Sequence, residues 1–408
     1  MLISKLLSVL FMIILVSPSF TTIPQPLSVS EKNGFGGDTA VQSDIEDCKD
    51  PALVFVHCNL VLNDLPSDGD FKGTVVVMDD GLSVTDWREL TSPLYGVDVD
   101  IVAYLTPDAN GEVDIIKYDP TLPLTDSQWN DVLGYYPSDG HGREVISALG
   151  SIAKHAKVIF VNLQLGDDNI GFRSHADVVI WDWILNNVDS YDIDVISMSF
   201  NVYLLPPWNV ISRILDIADK GVFMVSAIGN DGRYHGGTFP QGLPDVYAVA
   251  SVDHENRYRQ FGRFFQESKK GEYTGSAGWS PFTTSYGSEY NQDPSEAVDF
   301  AMPGNGVPIY VGGGRWEYAM GTSFSTPYLA ASALIAVYAY NMGFRSVAIH
   351  SFSDPTPTEI YQLLRDSSSS STSHNVYNGW GWIYLDILFE NAFNLGRDVA
   401  SSLGGGIF

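Results

Sequence analysis

Four segments of the sequence hold the residue types that nucleophilic catalysis needs. Ser323 lies in "GTSFSTP", His141 stands between two glycines in "SDGHGREV", Asp79 follows the apolar run "TVVVM", and Asn230 ends "GVFMVSAIGN". A serine hydroxyl attacks a carbonyl carbon only when a neighbouring base takes its proton, and a third group orients that base. An amide can then donate a hydrogen bond to the developing oxyanion. The sequence therefore contains all the groups of an acyl-transfer site.

The serine candidate stands at the start of a helix that we predict to be buried. From Tyr328 to Tyr340 the sequence has no charge and no polar face. A helix here is therefore surrounded by protein, and it is too short to span a bilayer. Pro327 is expected near its first turn, where the missing N–H costs little. Ser323 is then either an ordinary N-cap or a nucleophile whose helix start holds an oxyanion.

Each partner of the serine also has an ordinary structural interpretation. The glycines beside His141 leave room for another chain to approach the imidazole. His235 in "RYHGGTF" matches this pattern nearly as well and is interpreted as a surface histidine. An acid or an Asn at the end of a strand commonly forms a turn. We assign Asp79, the first acid past its strand, to the histidine and Asp80 to the turn.

Short apolar runs and helical patterns alternate along the chain. The runs, which suit strands buried on both faces, are 74–78, 100–105, 157–165, 194–200, 221–227 and 245–252. The helical patterns are 142–156, about 174–188 and 208–219. This alternation predicts an α/β fold with three layers, in which a mostly parallel sheet has helices on both faces. In such sheets the site forms at the carboxyl ends of the strands.

Taken together, the motifs resemble those of the subtilisin-like serine peptidases, the subtilase family (peptidase family S8), whose triad occurs in the chain order Asp, His, Ser. "VVVMDDG", "HGREV" and "GTSFSTP" are similar to its Asp, His and Ser motifs, and the last is the most specific. "DVISMSF" resembles its cleft strand, "SAIGNDG" its oxyanion segment, "DFAMPGNG" its Ala-Pro-Gly turn and "NVYNGWGWIYLD" its closing Gly-rich stretch. The resemblance runs from about Lys72 to Ala392.

The resemblance implies a subtilisin-like fold and a serine endopeptidase that hydrolyses peptide bonds. The implied catalytic residues are Asp79, His141 and Ser323, with Asn230 as the oxyanion donor. The implied substrate-binding residues are Ser199, Phe200 and Asn201. No cofactor is required for this chemistry. Acidic residues near the cleft suit either basic peptides or Ca²⁺, which the family often binds, and no spacing identifies a calcium site.

The motifs also depart from the family pattern. Asp80 stands where the family usually has Ser or Thr, Arg143 and Glu144 stand for Thr and His, and Phe324-Ser325 stands for Met-Ala. These departures keep a second interpretation open, a non-catalytic binding or surface protein with the subtilase fold. An esterase on another α/β fold is not favoured, because no Gly-x-Ser-x-Gly surrounds the serine.

The chain divides into four predicted regions. Residues 1–19 resemble a signal peptide or an N-terminal anchor, 20–70 a short, weakly ordered extension, 71–395 the peptidase domain and 396–408 a C-terminal tail. The extension is short for the inhibitory propeptide that many family members carry. From the pattern of residues 1–19 we expect a secreted or extracytoplasmic protein that meets a membrane, if at all, only through an uncleaved N-terminal segment. In such a protein a disulfide between Cys48 and Cys58, the only cysteines, is the economical expectation.

The composition limits the classes of partner. With 408 residues, of which 45% are hydrophobic, the chain can bury one large core or two modest ones. Acidic residues outnumber basic ones 49 to 22, so the formal charge is −27. A protein of this charge without a basic run is not expected to bind nucleic acid. Peptides or proteins are the expected partners.

Overall fold

A single sheet of nine strands organises the described part of the chain. The structure is a computed structural model that describes residues 50–61, 73–107, 113–135, 140–163, 174–200, 206–230, 239–243, 245–253, 298–347, 354–374 and 379–404. The strands are β1 (Thr74–Asp79), β2 (Asp100–Pro107), β3 (Val113–Ile116), β4 (Lys157–Asn162), β5 (Ile193–Met198), β6 (Phe223–Ala227), β7 (Val246–Asp253), β8 (Phe300–Gly312) and β9 (Arg315–Met320). Their order is β3-β2-β4-β1-β5-β6-β7-β8-β9. Only the two edge strands, β3 and β9, run antiparallel to their neighbours.

Ten α-helices and one short 3-10 helix (Pro93–Tyr95) accompany this sheet in the described residues. The α-helices are α1 (Pro51–Phe55), α2 (Cys58–Val61), α3 (Val84–Leu90), α4 (Asp126–Val132), α5 (His141–Ile152), α6 (Ser174–Tyr191), α7 (Trp208–Asp219), α8 (Thr322–Arg345), α9 (Pro357–Asp366) and α10 (Leu385–Gly404). The predicted helices correspond to α5, α6 and α7, and the long apolar segment after Ser323 lies in α8.

Alternate side chains of β1 enter two separate cores. In β1, Val75 and Val77 belong to one core, whereas Val76 and Met78 belong to the other, and all four are buried. The first core contains side chains of α5, α8, α9 and α10, and the second contains those of α6 and α7. A sheet that buries both faces needs helices on both. The predicted three-layer α/β fold is therefore confirmed.

The last two strands were not predicted. The motif "DFAMPGNG" predicts a turn, but Phe300 to Gly306 lie within β8. Proline and glycine normally argue against a strand interior. Here β8 is irregular, because its pairing with β7 shifts register between Val252 and Asp253. Its second half then pairs with β9, and this hairpin leads directly into α8.

The described end of the predicted extension belongs to the folded domain. Residues 50–61 form α1 and α2, and Leu53, Val56 and Cys58 are fully buried in the first core. The N–H of Leu385, at the start of α10, donates to the carbonyl oxygen of Val56 over 2.9 Å. The expectation of a weakly ordered extension is wrong for these residues, because their apolar side chains are covered by the domain. Residues 20–49 and 62–72 lie outside the described residues.

The predicted boundary before the C-terminal tail also differs from the structure. Helix α10 continues without a break from Leu385 to Gly404. A Cβ on Gly396 would overlap the carbonyl oxygen of Tyr340, and a Cβ on Gly343 would overlap that of Phe393. The backbones of α8 and α10 are therefore in direct contact across these glycines. Residues 396–404 thus pack on the domain and do not form a separate tail.

Two predictions concern the N-terminal region. Cys58 is disulfide-bonded, and Cys48, the only other cysteine of the chain, lies outside the described residues. The predicted signal or anchor at residues 1–19 lies outside them as well. Within the described ranges, no helix combines the length and the apolar character that crossing a membrane requires.

Candidate active site

Asp79 is held at the carboxyl end of a central strand. It ends β1, which lies between β4 and β5, and the residue is 1% exposed. Its carboxylate Oδ1 accepts a hydrogen bond from the N–H of Asp80 over 2.8 Å. Its other oxygen, Oδ2, is buried without a hydrogen-bond donor in the described ranges. A buried carboxylate needs a neighbouring hydrogen-bond donor.

That neighbour is His141, the first residue of α5. Its Nδ1 lies 2.7 Å from Asp79 Oδ1, and its side chain is 22% exposed. An ionised carboxylate only accepts hydrogen bonds, so we assign the imidazole proton to Nδ1, which leaves Nε2 as an acceptor. Gly142 permits this approach, because a Cβ there would overlap the carbonyl oxygen of Asp80 and lie 2.8 Å from Cζ of Phe160.

Ser323 occupies the start of α8 at the same end of the sheet. The preceding Gly321 has a φ of 144°, a conformation that other residues rarely adopt. Its N–H donates to the carbonyl oxygen of Gly304 in β8 over 2.7 Å. Gly304 itself must lack a side chain, since a Cβ would overlap the hydroxyl of Ser325. These contacts fix the helix start against the sheet and leave Ser323 partly exposed.

Ser323 and Ser199 form two reciprocal hydrogen bonds. The Ser323 hydroxyl donates to the Ser199 carbonyl oxygen over 3.2 Å, and the Ser199 hydroxyl donates to the Ser323 carbonyl oxygen over 2.8 Å. Pro327 explains the second bond. It is the sixth residue of α8, so it lacks the N–H that would otherwise bond to the Ser323 carbonyl. Pro327 thus lies in the second turn of α8, close to its predicted place.

The imidazole of His141 lies beside the first turn of α8. Its ring centre is 5.7 Å from that of Phe324, the residue after the serine. Among the described residues, the Ser323 hydroxyl hydrogen-bonds to the Ser199 carbonyl and not to His141. Proton transfer to Nε2 would therefore require the hydroxyl to give up its hydrogen bond to the Ser199 carbonyl. Such hydrogen bonds often tighten only when substrate is bound.

Asn230 is tied to the same helix start. Its Oδ1 accepts from the N–H of Thr322 over 2.8 Å and from the Thr322 hydroxyl over 2.9 Å. Its Nδ2 must then face away from this anchor, and that atom lies near Gly321. Neither Asn230 Nδ2 nor the N–H of Ser323 donates to any acceptor in the described part of the chain. Two donors thus remain for an oxyanion beside the serine.

The predicted substrate-binding residues are placed in part. Ser199 contacts Ser323 as described, directly after β5. Phe200 is 8% exposed, belongs to the second core and lies with its ring 6.4 Å from that of Phe239. Phe200 therefore presents little surface to solvent. Asn201 lies outside the described residues.

Sequence reasoning missed Asn162, which supports the segment after Asp79. It ends β4, directly beside Asp79 in the register. Its Nδ2 donates to the carbonyl oxygens of Leu133 and Gly134, both over 3.2 Å, and a Cβ on Gly81 would lie 2.9 Å from that nitrogen. The sequence did contain a pattern that indicates Asn162. This residue directly follows a buried apolar run, as Asp79 does.

Two tyrosines beside the site have raised pKa values. Burial raises the pKa of Tyr104, although its hydroxyl oxygen accepts from the N–H of Leu82 over 3.2 Å. Burial also raises the pKa of Tyr310, which is close to the carboxylate of Glu89. Both phenols are therefore neutral at physiological pH and act as hydrogen-bonding groups of the scaffold. No group of three or more His, Cys, Asp and Glu side chains suited to a metal ion is found where the structure is described.

The comparisons with known proteins agree with this architecture. The model of the Subtilase family matches residues 74–382, which is more than half of the chain. The chain belongs to the subtilase family. The resemblance read from the motifs is thereby confirmed, and the matched range includes Asp79, His141, Asn230 and Ser323.

Curated relatives of this subtilase include the Subtilisin-like protease 7 of Trichophyton equinum and that of Arthroderma benhamiae. They are 24% and 23% identical over 250 residues, and each alignment covers 60% of this chain and 52% of the relative. The chain therefore spans about half the length of the curated relatives it matches.

Two solved structures share the fold of this subtilase. A lanthipeptide protease has a TM-score of 0.58 at 14% identity, and the alignment covers 89% of this chain and 99% of that one. The prenylagaramide maturation protease PagA has a TM-score of 0.52 at 17% identity, with 82% and 98% covered. At these identities the similarity shows a common fold alone.

Proposed function

We propose that this subtilase is a serine endopeptidase, and the 2.7 Å contact between His141 Nδ1 and Asp79 Oδ1 is the observation that carries the proposal. An imidazole in contact with a buried carboxylate is held in one tautomer and is stabilised when it becomes cationic. A general base that takes the proton of Ser323, at the start of α8, needs this property. Family membership and the curated subtilisin-like proteases support the same reaction.

In the proposed reaction, Ser323 Oγ attacks the carbonyl carbon of a peptide bond while His141 Nε2 takes the hydroxyl proton. The carbonyl oxygen becomes an oxyanion that accepts from Asn230 Nδ2 and the N–H of Ser323. His141 then gives its proton to the leaving amine, and the C–N bond breaks to leave an ester of Ser323. Water then attacks the ester carbon while His141 takes its proton, the bond between the acyl group and Ser323 Oγ breaks, and His141 returns the proton to Oγ. Asp79 stays ionised throughout.

Extended substrate would lie along the segment that follows β5. Ser199 is the described residue of that segment nearest the nucleophile, since it is hydrogen-bonded to Ser323. Polypeptides can bind by adding a strand to such a segment. In the proposed reaction the Ser323 hydroxyl would exchange its present contact with the Ser199 carbonyl for one with His141 Nε2. We further propose that the protein acts outside the cytoplasm, on the pattern of residues 1–19 and the disulfide at Cys58.

A non-catalytic binding protein with the same fold is the second candidate. It is favoured by one observation, namely that the Ser323 hydroxyl donates to Ser199 and not to His141. This protein would bind peptides in the cleft without cleaving them.

Labelling with a fluorophosphonate reagent distinguishes the two candidates. The peptidase should be labelled once, at Ser323, and should cleave a peptide library, whereas Ser323→Ala should be neither labelled nor active. Ser325→Ala is the matched control, because Ser325 is buried two residues away in the same helix and should not affect labelling. A folded wild-type protein that resists the reagent and cleaves no peptide would exclude the endopeptidase.

A further inference from the structure

An ion pair next to the catalytic groups connects the segment that carries Asp79 to the helix that carries His141. Arg143 Nη1 lies 3.0 Å from Asp86 Oδ1, and the two side chains are only 13% and 6% exposed. Asp86 lies in α3, seven residues after Asp79, and Arg143 lies two residues after His141. The Arg143–Asp86 pair and the His141–Asp79 pair therefore lie side by side. Both connect the start of α5 to the segment formed by the end of β1 and α3.

Arg143 also lies against the N-cap of α5. That N-cap has no side chain that could accept hydrogen bonds from the first turn of the helix. The N-cap is Gly140, with a φ of 80°, and a Cβ there would overlap the guanidinium group of Arg143. The Nε of Arg143 donates to the carbonyl oxygen of Tyr310 in β8 over 3.2 Å. The guanidinium group therefore covers the N-cap and ties the first turn of α5 to both α3 and β8.

The carboxylate of Asp86 is itself fixed in position. Its Oδ2 accepts from the N–H of Ser83 over 3.0 Å and from the Ser83 hydroxyl over 2.7 Å, which completes a capping box at the start of α3. Its Oδ1 remains for Arg143. Because a guanidinium group is planar and offers several donors, it can hold Asp86 and Tyr310 at once. A lysine could satisfy only part of this arrangement.

From these contacts we propose that Arg143 is a positioning residue, which holds His141 against Asp79 through its own contacts with Asp86 and Tyr310. The expected change in kcat rests on the proposed peptidase function. The expected change in the position of His141 does not. Misplacement of a catalytic group by about 1 Å can lower a rate roughly a hundredfold. Loss of Arg143 should therefore reduce kcat much more than it changes KM.

The test compares Arg143→Gln with Arg143→Lys and with Arg88→Gln. Arg88 is the control because it lies in α3 and pairs with Asp126 on the surface, with side chains 41% and 55% exposed. We expect Arg143→Gln to lower kcat by roughly ten- to a hundredfold with little change in KM. Arg143→Lys should recover part of this loss, and Arg88→Gln should behave as wild type.

Proton NMR provides a readout that does not depend on turnover. The Nδ1 proton of His141, in its short contact with Asp79, should give a downfield resonance in the wild type and in Arg88→Gln. It should be lost or broadened in folded Arg143→Gln. A wild-type resonance and a wild-type kcat in this variant would overturn the proposal. If Arg143→Gln does not fold, the same two measurements are made on Asp86→Asn. A wild-type resonance and a wild-type kcat in Asp86→Asn would also overturn the proposal.

The two readouts separate this proposal from the peptidase function. If the wild type cleaves no peptide but Arg143→Gln loses the resonance, the positioning role stands and the peptidase function fails. If the wild type is active and Arg143→Gln is equally active with its resonance intact, the positioning role fails alone.

Discussion

Asn230 and Thr322 are joined by two hydrogen bonds that use the same amide oxygen. Both the N–H and the hydroxyl of Thr322 donate to Asn230 Oδ1, over 2.8 and 2.9 Å. An amide held through its oxygen presents its nitrogen as a donor, and here that nitrogen lies at the start of the helix that carries Ser323. In the proposed reaction, this contact would make Nδ2 the atom of Asn230 that faces the substrate carbonyl oxygen.

This relationship predicts the effects of two substitutions at Asn230. Asn230→Asp keeps an oxygen for Thr322 but removes the donor, so kcat should fall by at least about 10²- to 10³-fold. Asn230→Ala should lower kcat similarly and should also loosen the helix start. Steady-state kinetics with a chromogenic peptide would measure both. A variant with Asp at this position and a kcat within a few-fold of wild type would exclude Asn230 as the oxyanion donor.

Gly142→Ala should damage both stability and catalysis. The added Cβ would overlap the carbonyl oxygen of Asp80, so the start of α5 must move away from β1. Overpacking of this kind costs about 1–3 kcal/mol, and the shift of His141 should lower kcat. Urea unfolding and steady-state kinetics would measure the two effects.

The control for Gly142 is Gly221→Ala. Gly221 has a φ of 100° and no atom within 4 Å of an added Cβ. This substitution should strain the backbone and reduce stability while leaving kcat unchanged. Equal kinetic effects at both positions would show that general destabilisation, and not the position of His141, lowers the rate.

Leu53→Ala should destabilise the domain although Leu53 lies upstream of β1. Leu53 is fully buried in α1, and truncation of a buried leucine costs about 2–5 kcal/mol. Val54→Ala is the control, because Val54 is 41% exposed in the same helix and should cost far less. Thermal unfolding of the two variants would compare them. Equal melting temperatures would contradict the conclusion that α1 belongs to the folded domain.

The raised pKa of Asp194 should make the free energy of unfolding depend on pH. Loss of water around Asp194 raises its pKa well above the ordinary value, although the N–H of Thr74 donates to its Oδ2 over 2.9 Å and lowers the pKa. The folded protein therefore binds this proton more tightly than the unfolded chain does. Its contribution to the free energy of unfolding is full below the ordinary pKa and is lost as the pH rises through the folded pKa.

Asp194→Asn should consequently raise the melting temperature near neutral pH. The gain should shrink as the pH approaches about 4, the ordinary pKa of Asp, where the wild-type carboxyl is protonated. Asp189→Asn, at a side chain that is 85% exposed, should show no such trend. Thermal unfolding across this pH range would measure both variants, and a constant gain from Asp194→Asn would contradict the assigned pKa shift.

Much of the site could be predicted from local patterns, for a physical reason. Asp79 and Asn230 follow buried apolar runs, and parallel strands bring their carboxyl ends to one edge of a sheet. His141 and Ser323 begin helices, where small neighbours leave space for close approach. Arg143 could not be assigned in this way. It appeared only as a departure from the family motif, because its partners Asp86 and Tyr310 lie 57 and 167 positions away.

The ends of the domain could not be predicted either, because they also depend on contacts between segments that are distant in the chain. The apolar residues of α1 and α2 have no regular alternation, so only their burial against α10 and β8 shows that they belong to the core. Gly396 has no local signal either, and its role depends on the contact of its backbone with Tyr340.

Periodicity in the sequence was enough to predict the layered α/β architecture. Motifs a few residues long indicated the family and the four residues of the candidate site. Which atoms meet is seen only in the folded structure. It placed His141 Nδ1 on Asp79 Oδ1, turned the Ser323 hydroxyl toward Ser199, and joined Arg143 to Asp86. These contacts depend on packing between segments that are distant in the chain, and no local pattern encodes the direction of a side chain across such a distance.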